Sequence, residues 1–109
     1  MVERTSLDRL FHALAHDARR DMLDRLAAED LTVGALAEPL AMSFAGASKH
    51  VKVLEQAGLI QRTVEGRQHR CRLRAATLEQ ASAWLQRYER YWTERLDALE
   101  QLIARSGGR

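Results

Sequence analysis

The sequence predicts a mainly α-helical chain with one small β-hairpin past its middle and a long C-terminal helix. Three observations carry that expectation. Apolar residues recur at spacings of three and four through residues 7–57. A Glu65–Gly66 pair then separates two short runs, the second of which alternates. No Gly or Pro interrupts residues 77–104, which allows a helix of roughly 42 Å at about 1.5 Å per residue.

Each element has its own signals. Ser6 is expected to cap a first helix whose apolar positions are Leu7, Leu10, Phe11 and Leu14. His16–Asp17 restarts the chain, with Asp17 in a first turn where its charge suits the helix dipole. Ala18, Met22, Leu23 and Leu26 then share one face. Thr32 offers a cap to a short helix through Val33, Leu36 and Ala37, which breaks near Pro39. Ser43 caps the next helix, whose inward face is Ala47, Val51, Leu54 and Ala57, and Gly58 stands where a left-handed C-cap residue belongs. Beyond it, Leu59–Val64 and Arg67–Leu73 flank the turn. On the second arm His69, Cys71 and Leu73 alternate with Gln68, Arg70, Arg72 and Arg74, giving a semi-apolar side and a side almost wholly arginine. The last helix carries the stripe Leu78, Ala81, Leu85, Tyr88, Trp92, Leu96, Leu99 and Ile103, and the tail 106–109 is read as frayed.

Composition narrows the function. A chain of 109 residues is expected to be one domain, 1–109, too small for a large cleft holding paired catalytic carboxylates. An enzyme is therefore not expected. The single Cys71 cannot form an internal disulfide and suits a reducing cytoplasm. No apolar run approaches the length of a membrane span, and acids crowd the first 30 positions, so neither span nor leader is expected. Charge is uneven along the chain. Residues 1–42 hold five arginines against eight acids, residues 43–74 seven Lys and Arg against two, and residues 75–109 five of each. The resulting +5 block is the footprint of a polyanion partner.

That block spans the elements a nucleic-acid reader would use. A short helix, a turn through Ala41–Met42 and a capped second helix (about 32–57) make a helix-turn-helix, and the hairpin (about 59–74) adds a wing. The second helix offers Ser43, Phe44, Gly46, Ser48, Lys49 and His50 to base edges and the groove floor, His50 serving either as a donor or as a stacked edge residue. Lys52, Arg62, Arg67, Arg70 and Arg72 are expected to hold phosphate. The long helix (about 77–104) exceeds what this chain can cover, so pairing of two copies through Leu7, Leu10, Leu85, Tyr88, Trp92, Leu96 and Leu99 is expected. Two recognition helices would then meet successive major grooves about 34–36 Å apart. His69 and Cys71 lack an orienting third group, and Cys71 is read as a small buried side chain.

The chain also resembles a known family. Leu10-Phe11-His12-Ala13-Leu14-Ala15-His16 with Arg19-Arg20 and Leu23, then Leu31-Thr32-Val33-Gly34-Ala35-Leu36-Ala37, are similar to the opening and first DNA-binding helix of ArsR-type regulators. Ser48-Lys49-His50-Val51-Lys52-Val53-Leu54-Glu55-Gln56-Ala57-Gly58-Leu59-Ile60 resembles the recognition helix and wing start, with Glu65-Gly66-Arg67 at the wing tip. The resemblance implies a homodimeric regulator, usually a repressor, on a near-palindromic double-stranded operator. It departs from the metal-sensing members: Leu36-Ala37-Glu38-Pro39-Leu40 has no Cys-x-Cys pair, and residues 77–104 contain neither His nor Cys. No metal and no cofactor are expected. The alternatives are a winged-helix module that binds protein, and a metal-dependent sensor whose ligands are shared between subunits.

Overall fold

Local capping chemistry sets the first helices of the computed structural model, which describes residues 4–107. Helix α1 runs Arg4–Leu14 and α2 runs Asp17–Ala28. Ser6 is not the cap of α1, because a helical turn has already formed at Arg4. His16 caps α2, its Nδ1 accepting the Ala18 N–H at 3.1 Å. Helix α3 (Val33–Ala37) begins at Thr32, whose hydroxyl accepts from Ala35 N–H, and passes into a 3-10 turn, Glu38–Leu40. Ala41, at φ 52°, closes that turn before α4 (Phe44–Gln56).

Arginines close the carbonyl ends that such short helices leave open. Arg19 donates from Nε to Ala13 O at 2.7 Å and from Nη2 to His12 O at 2.9 Å, while Arg20 Nη1 donates to Leu14 O at 2.7 Å. Arg25 donates to the Ala35 and Leu36 carbonyls at the end of α3. The core lies where these helices meet: Leu10, Met22, Leu36, Leu54, Leu59 and Ile60 are all fully buried. Leu10 is only 1% exposed and belongs to the chain's own interior, so it has no surface to give a second copy. The three-and-four spacing that placed it on an apolar face could not say which body that face meets.

Strands β1 (Leu31–Thr32), β2 (Ile60–Glu65) and β3 (Gln68–Leu73) form an antiparallel sheet in the order β1-β3-β2. The expected two-stranded hairpin therefore has a third member, Leu31 lying opposite Cys71 and Thr32 opposite Arg70. Two residues are too few to show alternation, which is why the sequence hides this strand. The tight turn sits one residue later than expected: Glu65 pairs with Gln68, leaving Gly66 and Arg67 as its central residues. Positive φ at Gly66 (63°) and not at Arg67 is the sign pattern of a type II′ turn. Helix α5 spans Ala75–Gly107, longer at both ends than the spacing predicted, and Ser106 is helical. The last part of the tail read as frayed, 108–109, lies outside the described residues.

Candidate nucleic-acid interface

Ser43 starts α4 with its Oγ accepting the Gly46 N–H at 3.0 Å. A Cβ at Gly46 would stand 3.3 Å from that oxygen, so the glycine makes room for the cap. Ala47, Val51 and Leu54 face the core, which turns Phe44, Ala45, Lys49, Lys52 and Gln56 outward. This outward face contains no acid. Of the residues expected to read bases, Ser43, Phe44 and Lys49 are exposed, whereas Gly46, Ser48 and His50 are half-buried. Phe44 is 60% exposed at the first helical position, where N-terminal residues of such a helix reach base edges.

His50 occupies the flank of α4 and not its outward face. Its ring lies against His16, centroids 4.5 Å apart, and its Nδ1 is 3.2 Å from Arg19 Nη1. The two rings meet tilted at 53°, which places His50 at the edge of the helix. Burial first, then the nearby His16 and Arg19, hold its pKa below the ordinary value, with Asp17 opposing them.

The wing's arginines divide between two faces. Register places Arg62 opposite Cys71 and beside Ile60 and Leu73 on the inner, apolar face, while Arg70 and Arg72 share the outer face with Gln61 and Thr63. The side opposite the apolar one is thus mixed polar, with Thr63, Glu65 and Gln68 among its arginines. Arg62 reaches back to α4 and donates from Nη2 to Glu55 Oε1 at 2.7 Å, a pair at 22% and 34% side-chain exposure. Arg70 pairs with Glu65 at 3.4 Å and Arg72 with Asp30 at 3.2 Å, both in open positions. Among the described residues Lys49, Lys52, Arg67 and Arg74 have no ion-pair partner. Asp30, just before β1, is a partner that the hairpin's own sequence does not contain.

Cys71 is fully buried beneath the wing, and burial pushes its thiol up, with Arg62 opposing. His69 lies on the same face, its Nδ1 buried without a hydrogen bond. Among the described residues no three His, Cys, Asp or Glu side chains converge as metal ligands.

The last functional surface is α5, whose Ala81 is its one buried residue. Leu78 packs on the core, and Trp84 meets Phe11 of α1 edge-on at 5.4 Å. Beyond this contact Leu85, Tyr88, Trp92, Leu96 and Leu99 all stand exposed, Trp92 at 61%, and Tyr91, Leu102 and Ile103 join them. The expected Leu7 is half-buried on α1. Tyr91 carries the Arg95 guanidinium over its ring at 4.5 Å.

A capped groove-width helix beside a three-stranded wing defines a winged helix-turn-helix protein. Comparison with known proteins agrees. A helix-turn-helix domain family matches residues 14–63. The HTH-type transcriptional regulator Rv2034 of Mycobacterium tuberculosis is 36% identical over 102 residues, covering 94% of this chain and 92% of the relative. The crystal structure of an ArsR family transcriptional regulator, RHA00566, superposes with a TM-score of 0.78 at 32% identity, over 84% of this chain and 95% of that one. The solution structure of a homodimeric winged helix-turn-helix DNA-binding domain, Mb0332 of Mycobacterium bovis, gives 0.64 at 26% identity over 84% of each chain. The chain belongs to the ArsR family of winged helix-turn-helix transcriptional regulators. It is a DNA-binding regulator and not an enzyme.

Proposed function

We propose that the chain acts as a homodimeric repressor on a near-palindromic operator, with α4 in the major groove and the wing on the phosphate backbone. The observation that carries this reading is the acid-free outward face of α4, whose Lys49 and Lys52 have no partner among the described residues. In this reading Phe44, Ser43 and Lys49 lie nearest the bases, with Gly46 and Ser48 at the edge of the contact. Lys52 and Arg67 take phosphate directly. Arg70 and Arg72 exchange weak, open ion pairs for phosphate, since such pairs hold only about 0–1 kcal/mol. Arg62 stays with Glu55.

The dimer reading rests on α5. Its exposed stripe continues the line of Leu78 and Ala81, which pack on the core, past the point where α1 ends. A second α5 is the surface of matching length and apolarity, and Mb0332, a homodimer, supports a second copy of the chain as the partner. Repression is the usual sense of the family, and the site of action is the cytoplasm, where the operator is.

Selecting duplexes from a random pool and footprinting the winners tests the whole reading. The expected footprint is two inverted half-sites about one helical turn apart, roughly 34–36 Å, and a promoter overlapping the site should fall silent in a reporter strain. A single asymmetric footprint, or no selected duplex, overturns it.

A further inference from the structure

Where α4 meets the α1–α2 corner, one buried guanidinium joins three helices. Arg19 is 8% exposed and holds the His12 and Ala13 carbonyls at the end of α1 while Nη1 meets His50 Nδ1 at 3.2 Å. A guanidinium can only donate. His50 Nδ1 must therefore present its lone pair, and the ring proton sits on Nε2. His16 lies against the same ring, accepts the Ala18 N–H, and has Asp17 Oδ1 at 3.3 Å.

We propose that Arg19 is a positioning residue for DNA binding: through a neutral His50 it fixes the angle at which α4 is presented, so that acid loosens the helix and weakens operator binding. The proposal rests on the DNA-binding reading above. Helix α4 is anchored along one side by Ala47, Val51 and Leu54, and a roll about that line would swing Phe44, Lys49 and Lys52 out of register with a groove. A link on the flank resists that roll. Protonating His50 turns its acceptor into a donor facing Arg19 Nη1 and sets a second cation beside the guanidinium and His16, with Asp17 alone opposing.

The sign follows from linkage. Because the folded state lowers the His50 pKa, the unlinked helix binds the extra proton more readily. The link is complete above the ordinary imidazole value, about 6.5, and is lost as pH falls from there through the folded value. A histidine that merely lay near DNA would act oppositely, since added positive charge tightens binding to phosphate.

Two measurements test this, one without DNA. In ¹⁵N-labelled protein near neutral pH, His50 should show an unprotonated Nδ1 and a protonated Nε2; a proton on Nδ1 overturns the proposal. With a duplex selected from the random pool as probe, wild-type affinity should fall about ten-fold from neutral to mildly acid pH, a modest share of the two charged hydrogen bonds that a dimer would lose. His50→Asn keeps an acceptor for Arg19 and cannot titrate, so it should bind within about three-fold of wild type at neutral pH and stay flat in acid. Arg19→Lys, which keeps the charge and loses the fork, should be about ten-fold weaker at neutral pH. Wild-type affinity that holds or rises in acid, or a full acid loss surviving in His50→Asn, overturns the link. Failure of every duplex at neutral pH would sink the DNA reading instead, and the tautomer would still decide whether the link exists.

Discussion

Replacing Arg67 by Ala and, separately, Arg62 by Met should affect DNA binding in different ways although both remove one wing cation. Each phosphate contact contributes about 0.9 to the slope of log affinity against log salt. If Lys49, Lys52 and Arg67 were the contacts, a dimer would make six and show a slope of about −5; adding Arg70 and Arg72 would make ten and about −9. Arg67 stands exposed at the wing tip with no ion-pair partner among the described residues. Its loss from both protomers should flatten the slope by about 1.8, so that a rise from about 50 to 200 mM salt costs some twelve-fold less affinity than in the wild type. Arg62 is held by Glu55 at 2.7 Å on the inner face. Its loss should leave the slope unchanged while lowering stability by about 1 kcal/mol, or roughly 4–8 °C in melting temperature at fixed protein concentration. Fluorescence anisotropy titrations across a salt series, paired with thermal melts, read both effects. Equal slope changes in the two variants would refute the division between spent and available cations.

Other expectations follow from the same structure. Trp92→Glu places a charge in the middle of the exposed α5 stripe, so sedimentation should show a monomer, with operator affinity lost and the helical circular dichroism of the core retained. Phe44, exposed at the start of α4, suits the C5-methyl group of thymine. Replacing the facing thymine by uracil should weaken wild-type binding about four-fold, close to the worth of one buried methyl, and leave Phe44→Ala unaffected. Cys71, buried and with its pKa raised by burial, should resist thiol reagents until the protein unfolds. Cys71→Ser should cost about 1–3 kcal/mol in a denaturant melt, because burial takes the hydroxyl out of water; rapid native labelling would contradict that placement.

How much of the site was legible depended on how far each signal reaches along the chain. Thr32, Ser43 and Gly58 announced their roles because a cap acts within three residues of itself. The outward set on α4 followed from spacing, since burying Ala47, Val51 and Leu54 leaves Lys49 and Lys52 no other direction. His50 was ambiguous because its position on the flank is decided by α2, 31 residues earlier in its bond to Arg19. The arginine roles were the least legible. A charge count cannot distinguish Arg67 in open water from Arg62 held by Glu55, nor show that Arg72 meets Asp30, 42 residues away.

By itself, then, the order of residues determined the helices, the wing and the chemistry of the exposed α4 face, because periodicity, capping and turn geometry act between near neighbours. Only the folded chain decided that Leu10 turns inward while Leu85 and Trp92 stay uncovered, that Leu31–Thr32 adds a strand, and that Arg19 links three helices. Those outcomes rest on contacts between distant segments, where a donor's partner or an apolar face's cover is chosen by packing and not by sequence distance.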